Sequence, residues 1–94
     1  MGNWLVERRL KQTGSRLRAL REELRVIDEQ LSYLTDDADD MDIRSLVDDT
    51  GGSAAESRRA RETAHAMARH RAHVVASITD LEQRQDDLLD RLSR

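Results

Sequence analysis

The chain has 94 residues with no Phe, no Cys, one Trp and one Tyr, which excludes a wide aromatic core, a disulfide framework and a thiolate metal site. Its 16 basic and 19 acidic side chains leave a net charge of -3, which argues against generic binding to nucleic acid or anionic membranes as the main activity. Pro is absent and 37% of the residues are charged, a composition typical of long helices and coiled coils.

The first predicted element is a long helix over residues 3–47. Apolar residues recur from Leu17 to Leu34 at alternating steps of three and four, and Leu10 lies one heptad before Leu17, which is the pattern of a coiled-coil seam. Ala38 and Met41 continue that register through the Asp-rich stretch 36–42. Asp is a mediocre helix former, so this stretch has two interpretations, a loop or a continued helix. The register favours the continued helix.

A turn is predicted over residues 48–52, which hold the only adjacent glycines of the chain, Gly51 and Gly52. Ser53 and Glu56 then fit a capping box, in which the serine is the N-cap of the next helix and the glutamate stands at its third position. These signals together indicate that one helix ends and another begins here.

The second helix is predicted over residues 53–93, with the same apolar alternation and with Arg71 and Gln85 as polar interruptions. In an antiparallel pairing Thr13 would face Gln85, and such a polar layer penalises slipped registers. The predicted seam consists of Leu10, Leu17, Leu20, Leu24, Ile27, Leu31, Leu34, Met67, Val74, Ile78, Leu81, Leu88 and Leu92.

Blocks of charge predict that the two helices of one chain pair antiparallel. Residues 1–25 carry seven basic and three acidic side chains, whereas residues 76–94 carry five acidic and three basic ones. These ends attract each other when the chain folds back, and the Asp-rich stretch then lies beside Arg58, Arg59 and Arg61. The predicted fold is therefore all-α, a single long antiparallel two-helix coiled-coil hairpin.

Further apolar side chains lie outside the seam, where a lone two-helix hairpin leaves them partly exposed. A single seam is also a thin source of stability, because ordering each residue costs roughly 1–2 kcal/mol. We expect a second copy to cover the extra surface, giving a four-helix-bundle homodimer, or an unidentified protein partner to do so. The predicted partner surface consists of Trp4, Leu5, Val26, Tyr33, Val75 and Leu89.

No cofactor, metal ion or catalytic centre is predicted. His65 and His73 fall on outward heptad positions and only His70 flanks the seam, whereas metal sites in helical bundles need inward ligands repeated on other helices. The Asp-rich stretch lacks the Gly and Glu spacing of an EF-hand loop. The sequence has no Gly-rich phosphate loop, nucleophile–base arrangement or paired buried carboxylates, so an enzyme is not expected.

The two acids before the glycines, Asp48 and Asp49, form a predicted acidic tip. An acidic tip on a long hairpin resembles the coiled-coil arms of bacterial transcript-cleavage factors, which insert into the secondary channel of RNA polymerase. The resemblance covers the hairpin shape and these two residues. It implies a factor associated with RNA polymerase or nucleic acid, with the Arg blocks as further contacts.

The longest apolar runs have three residues, too short for a secretory signal or a membrane span, so the chain is expected to be cytoplasmic. Its basic residues are nearly all Arg, with Lys11 the only lysine, a bias of GC-rich genomes that points to a bacterial, actinobacterial source. The predicted function is a non-enzymatic scaffold or regulatory protein in a bacterial macromolecular assembly. The polymerase-associated factor is the alternative.

Overall fold

The computed structural model describes residues 3–48 and 51–94, which contain two helices, α1 (Asn3–Val47) and α2 (Gly51–Ser93). The helices pack as a hairpin and no strand occurs in the described ranges, which confirms the predicted two-helix fold. α1 runs through the Asp-rich stretch without a break, so the loop interpretation of residues 36–42 is wrong. Ala38 in this stretch is fully buried, which gives the helix an anchor on its apolar side.

The predicted seam residues all lie on the inner side of the two helices. Leu17, Leu20, Ile27, Val74, Ile78 and Leu88 are buried, and the other predicted seam residues are half-buried. Steps of three and four place these side chains on one stripe of each helix, because such residues are neighbours on a helix surface. Burying one aliphatic side chain stabilises a fold by roughly 1.5–3 kcal/mol, so this stripe is the main source of stability.

Contacts divide the hairpin into two compact units. Of the described residues, the terminal unit comprises 3–24 and 73–94, and the turn unit comprises 25–48 and 51–72. In the terminal unit, Nη2 of Arg21 lies 3.4 Å from Oε2 of Glu82 across the seam. This ion pair joins the basic and acidic blocks that predicted the antiparallel arrangement.

In the turn unit, Arg71 occupies a seam position and is half-buried. Its Nε donates a hydrogen bond to Oδ1 of Asp28 at 2.5 Å, which raises the pKa of Arg71. The long side chain therefore packs its methylene groups at the seam and carries its charge to a carboxylate on the opposite helix. This explains how the seam tolerates the interruption.

The start of α2 differs from the predicted one. The helix begins at Gly51, so Ser53 lies inside the first turn and the capping-box interpretation is wrong. Oγ of Ser53 instead donates a hydrogen bond to Oδ2 of Asp48 at 2.5 Å. Neither Gly51 nor Gly52 has a positive φ, and a Cβ atom at either position would meet no atom within 4 Å. Two glycines in the first turn are tolerated because each costs only about 0.5–1 kcal/mol relative to Ala.

Candidate interaction surface

A cross-helix polar cluster in the turn unit consists of Asp39, Asp42, Ser57 and Arg61. Nη2 of Arg61 donates a hydrogen bond to Oδ1 of Asp39 at 2.8 Å and also contacts the carboxylate of Asp42. Oγ of the buried Ser57 donates to the same Asp42 carboxylate. The cluster joins the last turns of α1 to the first turns of α2.

The geometry of this cluster stabilises its charged forms. The hydrogen bond from Ser57, and next that from Arg61, lowers the pKa of the Asp42 carboxyl. The hydrogen bonds to Asp39 and then to Asp42 raise the pKa of Arg61. Both groups therefore keep their charges near neutral pH, which suits a structural clamp and not a proton-transferring site. Arg58 and Arg59 were also predicted to lie beside the Asp-rich stretch. Both are exposed, and within residues 3–48 and 51–94 neither forms an ion pair.

The candidate metal ligands are dispersed. His65, His70 and His73 are all exposed on α2. Among the residues that the structure describes, no group of three or more His, Cys, Asp or Glu side chains is arranged to hold a metal ion.

The predicted acidic tip has two residues, and the structure describes one of them, Asp48. Asp48 is exposed just after α1, its backbone N–H donates to the carbonyl oxygen of Arg44 at 3.0 Å, and its carboxylate accepts the hydrogen bond from Ser53. Asp49 lies outside the described residues. The carboxylate of Asp48 thus takes part in joining the two helices as well as facing solvent.

The predicted partner surface is largely exposed. Tyr33 and Trp4 are the most accessible of its residues, at 75% and 61%, and Leu5, Val26 and Leu89 are also exposed. Val75 differs because it is half-buried. Tyr33 also lines an open, mainly apolar groove in the turn unit, together with Glu29, Gln30, Leu34 and Met67.

A second exposed apolar surface was not predicted. It is the end cluster, formed by Ile43, Leu46 and Val47 in the last turns of α1, with exposed fractions of 62%, 84% and 84%. Steps of three and four place these side chains next to one another on the outer face of the helix. Acidic residues flank all three in the sequence. The heptad pattern assigns all three to positions turned away from the seam.

Neither described helix has a stretch apolar enough, over sufficient length, to cross a membrane. Comparisons with protein families, curated proteins and solved structures found no match for this chain. The surface of the hairpin is therefore the basis for its proposed function.

Proposed function

We propose that this chain is a non-enzymatic interaction module, a helical hairpin that self-associates and acts as a scaffold or regulatory protein in a bacterial macromolecular assembly. The end cluster is the observation that carries the proposal. Its three aliphatic side chains point away from the seam and contribute little to the fold of their own hairpin. Exposed apolar patches of this kind mark sites of protein–protein interaction, because burying them is favourable only when another molecule covers them.

The other exposed apolar residues support the same proposal. The turn unit adds Tyr33 and its groove, and the terminal unit adds Trp4 and Leu5. Tyr and Trp are enriched at protein interfaces because they offer a large apolar area together with a polar atom. The cytoplasm of a bacterium is the proposed compartment, and the predominance of Arg over Lys supports a bacterial source.

A factor associated with RNA polymerase or nucleic acid is the second candidate. Three exposed charged residues, Asp48, Arg58 and Arg59, favour it, because they lie close to the chain reversal in the sequence. The two candidates differ in salt dependence. Binding to DNA or RNA weakens steeply as salt rises, whereas apolar docking on the end cluster does not.

The test uses two triple variants of the full chain. Replacing Ile43, Leu46 and Val47 with Ser removes the apolar end cluster, whereas Ile43→Val, Leu46→Met and Val47→Ile preserve it. We expect affinity capture in the native host at moderate salt to recover a protein partner with the wild-type chain and with the conservative variant, but not with the Ser variant. Equal capture by all three chains would contradict the proposed role of the end cluster.

Self-association is tested separately by sedimentation equilibrium of the purified chain. A folded monomer at high micromolar concentration would remove the self-association part of the proposal. If the chain shifts the electrophoretic mobility of DNA or RNA, and this binding weakens steeply as salt rises, the second candidate is favoured.

A further inference from the structure

Two neighbouring grooves in the terminal unit are lined by arginines from both helices. Arg9 of α1 and Arg84 and Arg91 of α2 line the first, together with Gln12, Thr13, Asp87 and Leu88. Arg16 of α1 and the same Arg84 line the second, together with Leu20, Ser77, Asp80 and Leu81. We call this surface the arginine groove.

The arginine groove places like charges across the seam. The heptad pattern places all four arginines at the same position, which flanks the seam and faces the equivalent position on the other helix of an antiparallel pair. They are Arg9 and Arg16 of α1 and Arg84 and Arg91 of α2. Like charges in such positions destabilise a helix pair. On the other flank of this unit, Arg21 faces Glu82, which is the stabilising arrangement.

The positive charges of the arginine groove are only partly offset by the acidic residues that line it. Within the described residues, none of its four arginines forms an ion pair. Asp80 and Asp87 offset part of the charge, which leaves an excess of two positive charges, and Asp87 also accepts a hydrogen bond from Gln83 at 3.3 Å. A groove with an excess of positive charge attracts a partner of the opposite sign.

The turn unit carries the complementary charge. Asp36, Asp37 and Asp40 lie along α1, and in residues 3–48 and 51–94 none of the three has an ion-pair partner. Asp39 and Asp42 differ because Arg61 contacts them both. We call the first three residues the acidic face.

Apolar surface adjoins the acidic face in the turn unit. Tyr33 and Val47 occupy the same heptad stripe as Asp40, and both are exposed. The acidic face therefore combines charge with exposed apolar area, as the rim and core of a protein interface do. In the arginine groove, Leu81 is half-buried beside the charges, whereas Leu20 and Leu88 are buried in the seam.

We propose that the arginine groove of one chain binds the acidic face of a second copy, so that the chain self-associates head to tail. This inference rests on the proposed self-association and says which surfaces carry it. The second copy is the occupant because the same chain has a surface with excess positive charge on one unit and a surface of acidic residues without ion-pair partners on the other. A contact between two different surfaces is heterologous, and each copy offers both halves of it.

The test reverses each charge set separately. In the first variant, Arg84→Glu and Arg91→Glu make the groove negative. In the second, Asp36→Arg, Asp37→Arg and Asp40→Arg make the acidic face positive. Either variant alone sets like charges against each other, so we expect its self-association to weaken by at least about tenfold. In an equimolar mixture every proposed contact again joins opposite charges, and association should return.

The measurement is sedimentation velocity at about 50 mM and about 500 mM salt, because screening weakens contacts between exposed charges. The control variant carries Arg8→Glu and Arg18→Glu, which make the same change in net charge on exposed outer positions of the terminal unit. It should associate as the wild type does. Far-UV circular dichroism should show that every variant keeps its helices.

The results separate this inference from the proposal on which it rests. A monomeric wild-type chain would overturn both the self-association and the head-to-tail contact. If the wild type associates but the mixture of variants does not, the inference is wrong and the proposed self-association stands. Association of either variant alone with wild-type affinity would also overturn the inference.

Discussion

Leu17 is the most enclosed large side chain of the seam, with 1% of its surface exposed. Leu17→Ala removes buried methyl groups and leaves a cavity, so we expect it to lower the free energy of unfolding by about 2–5 kcal/mol. Arg18→Ala is the control, because that side chain is exposed next to Leu17 in the sequence and its loss should change stability by under about 0.5 kcal/mol. Urea denaturation followed by far-UV circular dichroism measures both, and similar midpoints would contradict the assigned seam.

Asp42 predicts how stability depends on pH. The hydrogen bonds from Ser57 and Arg61 lower its pKa in the folded chain below the ordinary value of 3.8, which the unfolded chain retains. Its contribution is therefore fully present above that ordinary value, and it is lost as the pH falls through the lower, folded-state pKa.

Asp42→Asn should accordingly melt at a lower temperature than the wild type at pH 7, and the difference should shrink in acid. Melting curves of both chains over a pH series measure this change. Asp28→Asn serves as a comparison, because Arg71 hydrogen-bonds that carboxylate without a buried serine. A difference for Asp42→Asn that stays constant down to the lowest pH would show that its charge does not stabilise the fold.

At the scale of the helices, the first turn of α2 predicts that replacing its two glycines with alanine stabilises the chain. Glycines in a tight turn would predict the opposite effect. Gly51 and Gly52 have no positive φ, and space is open around both. Ala at either position should therefore stabilise the chain by about 0.4–1 kcal/mol, because it reduces the conformational freedom of the unfolded state. Chemical denaturation of the two single variants measures the gain. A loss of stability would mean that the chain reversal needs glycine there.

The two long helices were predictable because apolar residues recur at steps of three and four over several heptads of each. The reversal of the chain was predictable from charge, as the contacts of Arg21 with Glu82 and of Arg61 with Asp39 illustrate. The start of α2 was not, because a serine and a glutamate three residues apart form a short motif that also occurs inside helices. Ser57 was missed because burial of a small polar residue depends on its partner, here Asp42.

The candidate surface was only partly predictable for a related reason. Val26 and Tyr33 extend a regular apolar stripe, so the heptad pattern reveals them. Ile43, Leu46 and Val47 interrupt an acidic region, and whether they are covered depends on how the helix end packs. The spacing predicts that these three side chains are neighbours, but the structure is needed to show that they are exposed.

For the molecule as a whole, the pairing of the helices can be measured within the terminal unit. The chain has no cysteine, so Arg18→Cys and Thr79→Cys introduce unique labelling sites at exposed positions. We expect a distance of roughly 20 Å between spin labels in the hairpin, against about 90 Å in an uninterrupted helix at 1.5 Å per residue. Labelled chain diluted in excess unlabelled protein restricts the measurement to one chain. A long distance would contradict the antiparallel pairing.

Self-association also makes a prediction about melting. If folded chains associate and unfolded chains do not, mass action raises the melting temperature as protein concentration rises. Melting curves over a hundredfold range of concentration test this, and the variant with Arg84→Glu and Arg91→Glu should show a smaller rise. A melting temperature independent of concentration in the wild type would argue against association of folded chains.

The positions of the two aromatic residues determine what optical spectroscopy can detect. Trp4 and Tyr33 are both exposed and neither belongs to the seam. Intrinsic fluorescence should therefore change little when the seam melts, because Trp4 is already 61% exposed in the folded chain. For the same reason a blue shift of its emission would report the arrival of another molecule at the terminal unit. The emission of Trp4 should therefore report the binding of another molecule but change little when the chain folds.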